Sequence, residues 1–597
     1  MSFSVLKNRP SIQFLVSYTR ATFYRFPLVI IVSLVAMAYS IFAIESQVDG
    51  SKLVATLVLG IPLFLASALF RESNNWTASK HVIIDLVLGS VFLSIHYSLS
   101  MDDSTASYAL KYIQLSLALH LLVSFIAFIR DHDENKFWQF NRHLFLRILL
   151  SALYSGVLYG GLAIALVTVD NLFDIKINSN RFIELWIISV LGFQTWYFLS
   201  GIPNLRNLEG DNNYPKGLRI FVQFLLIPLV SLYTAILYCY MAKILVTKVW
   251  PSGNIAWLVS IMAVLGIFNL LLINPEKNRS ESKWITAYSK YYYIFILPLL
   301  VMLFVAIGKR VSEYGITEQR YLLTILSALL TGLALYYIFS KKKSIKVIPV
   351  ALFVTTLISL WGPFSAYNIS LKNQKERARQ ILIQNGLLFD NVVKTVEEKD
   401  MSFYDQKELS SIFEYIVKNH GSDKLIDWFP KIADKSKLGD RDMAEYLMKS
   451  IGLTYVEGQV NLQERRFSFR KNANSKSFSI VGYKEAFTFS INTYFALESG
   501  TVEVSGKTWR GDIDRKNNKV IFSDQSQTAE LSFDLTQKIK ELNEAKKSTE
   551  DSIEVEETMF IDSSGPKLAR LVIQEIRGDY NGDKPETTYV TGIILIK

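Results

Sequence analysis

A single cysteine, Cys239, stands in a chain of 597 residues, so no intramolecular disulfide can form and every domain must be held by its own core. Histidine is scarce as well, six in all, and His420 is the one that falls beyond residue 370. That region also lacks a G-x-S-x-G motif, which leaves little for nucleophilic catalysis, although a carboxylate-only hydrolase stays open. No Walker-type phosphate loop is present, so ATP-driven transport would need a partner subunit. Two carboxylate-rich segments fall short of metal sites. Asp131-His132-Asp133-Glu134 with His143 fits no standard ligand spacing and reads as a solvated charged loop. Asp579, Asn581 and Asp583 echo the start of a calcium loop, but Lys584 takes the glycine position and Val590 that of the bidentate glutamate. The sequence therefore predicts no catalytic residue, no metal and no cofactor.

What the chain does have is long apolar runs. A hydrocarbon core of roughly 30 Å takes about 20 residues of helix, with a working range of about 17 to 25. Eleven windows approach that length: Pro27–Ile44, Leu53–Phe70, Val82–Ser100, Ala109–Ile129, Leu144–Val169, Phe182–Ser200, Leu218–Ala242, Ile255–Ile273, Tyr291–Gly308, Tyr321–Ser340 and Val347–Trp361. The last is the shortest, with Pro349 and Trp361 as boundary residues. The pattern predicts an α-helical polytopic membrane bundle over 27–369, behind a cytoplasmic amphipathic segment at 1–26. Nothing before Pro27 resembles a cleaved signal peptide, so the first span is expected to stay in the mature chain.

Lysines and arginines on short loops favour the cytoplasm. With the N-terminus inside, 21 basic residues fall on the cytoplasmic side of the eleven spans and 9 on the other. An odd number of spans then sends the C-terminal region across the membrane, into the periplasm of a Gram-negative cell. The net charge of +10 divides unevenly: from Ser370 onward 34 basic and 36 acidic side chains leave −2, and the membrane half carries +12. Topology and attraction to lipid headgroups account for that excess, so the bilayer, not nucleic acid, is the expected partner.

From Ser370 to Lys597 the chain is polar, 228 residues long and able to bury a core. The stretch 370–452 reads as a helical neck. Asp405 and Glu408 have capping-box spacing, Leu409, Ile412, Phe413, Ile416 and Val417 recur at helical intervals, and Gly421 is a natural stop. Asp440 to Gly452 repeats the arrangement with Met443, Leu447, Met448 and Ile451. Over 453–597 the period becomes two, as in Phe467 and Phe469, Phe487, Phe489 and Ile491, or Leu531, Phe533 and Leu535. That predicts antiparallel strands forming a β-sandwich or barrel-like part, interrupted by the polar stretch Gln537–Glu557 before two last strands.

Ionisable groups inside spans are costly and face interior paths. Asp85 and His96 lie eleven residues apart, on nearly one helix face, and Gly89 near that face permits close helix approach. With His120 in the fourth span, they form either a proton- or ion-coupled relay or a set of interhelical hydrogen bonds. Lys111, Arg147, Arg181 and Glu184 sit near span ends and are expected to snorkel or pair. Pro228 and Pro298 lie inside spans and can kink them. At the membrane end of the last three spans, Arg310, Glu313, Glu318 and Arg320 place two charges of each sign beside the turn Tyr314-Gly315, with Thr317 between them. Gly362, Pro363 and Ser365 follow the eleventh span on the same face. These residues form either a polar vestibule, binding a substrate or seating the exported domain, or a salt-bridged connecting loop.

The run Tyr288-Ser289-Lys290-Tyr291, the stretch from Pro298 to Ile307, the loop from Arg310 to Tyr321 and the segment Gly362-Pro363-Phe364-Ser365-Ala366 resemble the bacterial membrane-protein family catalogued as domain of unknown function 4153. The likeness covers about residues 30–370, is densest over 286–370, and is closest to Bacteroidota members with a similar tail. It implies a bacterial polytopic inner-membrane protein and brings no established activity. Two functions fit. One is a transporter or lipid- and envelope-handling protein whose C-terminal domain gates the bundle or recruits a partner. The other is a membrane-anchored assembly or sensing protein whose β-rich domain binds a periplasmic protein or small molecule. Eleven spans exceed what anchoring needs, which favours the first.

Overall fold

The protein is described by a computed structural model over residues 12–597, apart from 77, 100–104, 132, 206–207, 209–213, 248–254, 276–282, 390–391, 395–400, 402, 431–438, 457–465, 472–479, 481, 493–499, 505–506, 515–516, 525–529, 545–552, 556–559, 564–568, 582–583 and 597. It forms two compact units, Met1–Val396 with Ile412–Ile451, and Glu397–Ser411 with Gly452–Lys597.

The first unit is helical. Its helices are α1 (Ile12–Arg25), α2 (Pro27–Ser46), α3 (Ser51–Ser73), α4 (Ala78–Leu99), α5 (Thr105–Phe125) and α6 (Glu134–Phe173). They continue with α7 (Asn180–Ser200), α8 (Lys216–Thr247), α9 (Ile255–Leu272), α10 (Lys283–Tyr314), α11 (Glu318–Phe339), α12 (Val347–Leu360) and α13 (Ala366–Gln384). Among the described residues nine helices are long and apolar enough to cross a membrane; α4 and α12 contribute the shorter apolar stretches Val82–Tyr97 and Val347–Leu360. Helices thus stand at all eleven expected windows, nine of crossing length. The chain is a multi-pass membrane protein.

Local chemistry sets the boundaries. Pro27 occupies the first turn of α2, where its missing N–H costs nothing. Asp133 caps α6, its Oδ1 accepting from the amides of Asn135 (2.9 Å) and Lys136 (3.1 Å). Pro62 and Pro298 lie inside α3 and α10. Pro228 follows a widened π-helical turn, Phe221–Leu226, which relieves the clash between a proline ring and the carbonyl four residues before it. Gly89 does bring α4 close to α3: a β-carbon there would stand 2.2 Å from the Phe64 ring. The outer walls are apolar as lipid contact requires, with Val157, Ile164 and Leu172 of α6 67%, 69% and 72% exposed. The interior packs Phe26, Phe140, Leu199, Val222, Leu299 and Leu303.

After α13 come a two-strand hairpin, β1 (Leu388–Phe389) with β2 (Val392–Val393), and helices α14 (Phe403–His420) and α15 (Asp440–Ser450). Gly421 at φ +89° and Gly452 at φ +73° follow the two helices, each at a positive φ that glycine adopts without a side-chain clash. Helix α14 starts at Phe403, so Asp405 lies in its first turn and does not cap it.

The second unit is mainly β. The strands β3 (Arg466–Lys471), β4 (Glu485–Asn492), β9 (Ile553–Val555), β10 (Phe560–Asp562), β11 (Ala569–Asn581) and β12 (Lys584–Ile596) make one sheet in the order β4-β12-β11-β3-β9, with β10 also on β11. A meander of β5 (Gly500–Val504), β6 (Lys507–Asp514), β7 (Lys519–Asp524) and β8 (Glu530–Asp534) makes the other. Both contribute to one core around Phe489, Phe522, Phe533, Leu571 and Ile594, closed by Ile539 and Leu542 of α16 (Thr536–Glu544). Pairing is antiparallel except for β3 with β9, which run parallel. The expected polar interruption holds α16 and the short strand β9, and Ile539 and Leu542 of α16 are buried in the core. The segment that echoes a calcium loop is instead the end of β11 and start of β12, paired Asn581 to Lys584; Asp583 lies outside the described residues.

Candidate functional site

Two places in the first unit gather polar groups against the apolar background. The first is the connection between α10 and α11. Gly315, at φ +72°, turns the chain after α10, and Thr317 sits at the N-cap of α11. Glu318, 7% exposed, then points toward the helices that follow the bundle. Its Oε1 accepts from Ser370 Oγ of α13 at 2.7 Å and pairs with His420 Nε2 at 2.9 Å. Its Oε2 accepts from the Tyr415 hydroxyl at 2.5 Å. A buried carboxylate needs such donors to offset its lost hydration. Burial, reinforced by the Glu318 charge, pushes the Tyr415 hydroxyl upward and keeps it protonated.

The same connection is held along α13. Asn373 accepts from the Ile316 amide at 2.7 Å, and Gln374 donates to the carbonyls of Tyr314 and Ile316, both at 3.1 Å. Arg320 folds back on the turn, donating to the carbonyls of Tyr314 (3.2 Å) and Gly315 (2.8 Å). Gly362, at φ +82°, leads through Pro363 to Ser365, whose Oγ caps α13 by accepting from the Asn368 amide at 3.3 Å. Tyr321 Oη donates to the Phe364 carbonyl. Most of the loop set is therefore brought together with a partner face on α13; the Glu313 side chain lies outside the described residues.

The second place is a cavity of about 670 Å³ inside the bundle. Its walls come from α3, α5, α6, α7, α9, α11 and α12 and are mostly apolar. The polar side chains on it include His120, Ser124, Asn141, Arg142, Ser151, Gln194 and Thr195. Arg142 is 4% exposed, about 12 Å along α6 from its start, with its guanidinium 5.2 Å from the Trp138 ring centre. Val190, Leu191 and Gln194 face it from the π-helical stretch Ile188–Gln194, the kind of widened turn that clusters at functional sites.

The intramembrane trio separates among different partners. Asp85 forms an ion pair with Arg71 across α3 and α4. His96 Nδ1 lies 2.9 Å from Thr56 Oγ1. His120 Nδ1 lies 2.7 Å from its own helix carbonyl at Ser116 while the ring borders the cavity. No contact among the described residues joins the three. The span-end charges are paired: Arg181 with Glu184 (2.7 Å) and Glu45 (2.5 Å), Arg147 on the Tyr197 ring and its carbonyl, Lys111 over Tyr367. Glu134 accepts from the Ile345 amide at 3.0 Å, and His143 bonds the Gln139 carbonyl at 2.8 Å; His132 lies outside the described residues. Sequence reading missed Ser370, Gln374, Arg377, Tyr415 and His420 as partners of the loop, although Ser370, Asn373, Gln374 and Arg377 recur at i, i+3, i+4 and i+7 directly after the last apolar run. It also counted Arg142 as a topology charge alone.

Residues 18–397 match the model of a family described as "Domain of unknown function (DUF4153)", a span that contains the bundle, the cavity and the α10–α11 connection. The chain is similar to the uncharacterised protein PM1469 of Pasteurella multocida (strain Pm70), 25% identical over 398 residues, which cover 62% of this chain and 66% of that one. It thus spans just under two thirds of that relative's length. No solved structure matches. Because the family match runs over more than half of its length, the chain belongs to the DUF4153 family of multi-pass membrane proteins.

Proposed function

We propose that this protein holds or moves an amphipathic, anionic, lipid-like molecule through its membrane bundle. The observation that carries the reading is the cavity of about 670 Å³, apolar on most of its wall and bordered by the buried guanidinium of Arg142. That volume is within the range of ligand pockets, roughly 300–1,000 Å³. A purely apolar guest would have no use for the cation, and a small inorganic ion would have none for the apolar walls. A molecule with acyl chains and an acidic head satisfies both.

In this reading the protein lies in a bacterial inner membrane with its N-terminus in the cytoplasm. The β-rich unit is then periplasmic and gates the bundle or recruits a partner. The bias of 21 basic residues to 9 supports that orientation. The test is native mass spectrometry of the full-length protein released from nanodiscs containing phosphatidylglycerol. Wild type should retain lipid adducts, and Ser151→Trp, at a fully buried cavity position, should lose them; Leu330→Trp fills the same space from α11. Equal retention by both correctly folded variants would sink the cavity reading. It would favour the alternative in which the spans anchor a partner-binding tail.

A further inference from the structure

Helix α7 packs against both α2 and α6, and one of its turns is wider than α-helical, Ile188–Gln194. At the end of that stretch the Thr195 amide bonds the carbonyls of Val190 and Gly192, five and three residues back. An α-helical turn would give it Leu191, four back. The Leu191 carbonyl accepts instead from Ser33 Oγ of α2, at 2.5 Å. From the other neighbour, Ser155 Oγ of α6 donates to the Ser189 carbonyl at 2.8 Å. Both serines are 2% exposed, so each hydroxyl depends on the carbonyl it has found. Side-chain hydroxyls of this kind are what satisfy irregular helical backbone inside a membrane.

The last turn of α7 is fixed separately. Arg147 of α6 donates to the Tyr197 carbonyl from Nε at 3.0 Å and from Nη2 at 2.6 Å, and to Ser200 Oγ at 2.9 Å. Gly201 makes room for it, since a β-carbon there would stand 1.8 Å from Arg147 Nε. A change in the π stretch can therefore leave that turn in place. Handing the Leu191 carbonyl to the Thr195 amide takes the extra residue out of the turn. The helix before it then rotates by about 100° and shifts by about 1.5 Å. Val190 and Leu191 line the cavity, while Trp186 and Ile188 of the same helix are exposed in the manner of a lipid-facing wall. That rotation carries the two lining residues off the cavity.

We propose that the π stretch of α7 is a gate between the bilayer and the cavity, latched by Ser33 and Ser155. With both hydroxyls bonded the wall is closed, and transfer of the Leu191 carbonyl from Ser33 to Thr195 opens it. The gate rests on the reading of the cavity as a lipid site and supplies the route by which its guest exchanges.

The test uses full-length protein in a neutral maltoside detergent, loaded with dioctanoyl phosphatidylglycerol and then mixed with an excess of the deuterated lipid. Native mass spectrometry follows, over time, the adduct that Ser151→Trp removes. Ser33→Ala and Ser155→Ala should each speed its replacement about fivefold, the ordinary worth of one hydrogen bond, and Ser33→Thr, which keeps the hydroxyl, should restore the slow rate. Ser40→Ala is the control on α2, because Ser40 Oγ bonds the Ala36 carbonyl of its own helix at 2.6 Å; it should exchange as wild type does. Hydrogen exchange should rise over residues 188–195 in the two alanine variants and stay unchanged in α9. The gate is overturned if neither alanine variant speeds replacement, if Ser40→Ala speeds it equally, or if hydrogen exchange rises throughout the bundle; the lipid reading of the cavity then still stands. A wild type that carries no such adduct overturns that reading, and the gate with it.

Discussion

Glu318 is the side chain on which the connection after α10 turns, because it is buried and has three donors from three separate chain positions. Replacing it with glutamine keeps the shape but sets an amide N–H2 against a donor, and should lower stability by about 3 kcal/mol. Thermal unfolding of the full-length protein in detergent measures it. Tyr415→Phe removes one donor and should cost less, about 1.5–2 kcal/mol. The tyrosine also predicts a pH dependence. Its hydroxyl is pushed above the ordinary tyrosine value, first by burial and then by Glu318. A raised acid keeps its full contribution below the unfolded value near 10 and loses it above. Stability should therefore fall above about pH 10 in wild type, and less steeply in Tyr415→Phe; equal slopes in a pH series of unfolding temperatures would contradict this.

Close backbone approach sets the packing of whole elements. Gly266 of α9 lies under Tyr292 of α10, and a β-carbon there would meet the phenol oxygen at 1.8 Å and Cζ at 2.2 Å. Tyr292 Oη donates to the Ala263 carbonyl at 3.1 Å, and its neighbour Tyr293 stacks on Tyr337 of α11 at 4.6 Å between ring centres. The ring has little room to withdraw, so Gly266→Ala should destabilise the bundle by about 1–3 kcal/mol. In the β-rich unit the obstacle is main chain: a β-carbon on Gly592 of β12 would lie 2.2 Å from the Val572 carbonyl oxygen on β11. Gly592→Ala should disrupt this pairing outright. Limited proteolysis should then cut the β-rich unit and spare the bundle, the reverse of what Gly266→Ala would do.

At the scale of the whole molecule the testable quantity is which side of the membrane each unit occupies. One native cysteine makes this direct. In a Cys239→Ser background, Lys484→Cys should react with a membrane-impermeant maleimide in cells whose outer membrane is permeabilised, and Lys343→Cys should react after the inner membrane is opened as well. Labelling of both before that step, or the reverse order, would overturn the proposed orientation.

Membrane residence and the β character of the tail were legible in residue order because both rest on one-dimensional regularities. Apolar run length is matched to a fixed hydrocarbon thickness, and alternation is matched to a pleated strand. Phe487, Phe489 and Ile491 could be assigned to a strand from spacing alone, as Pro27–Ile44 could to a crossing. The partners of polar groups were not legible. Asp85 turned to Arg71, His96 to Thr56, and Glu318 to residues 52, 97 and 102 positions away in the chain. Those choices follow from how helices pack and where a left-handed Gly315 directs the chain, and packing brings together side chains that no local period relates. The cavity belongs to the same class: seven helices border it, and a void exists only once all of them are in place.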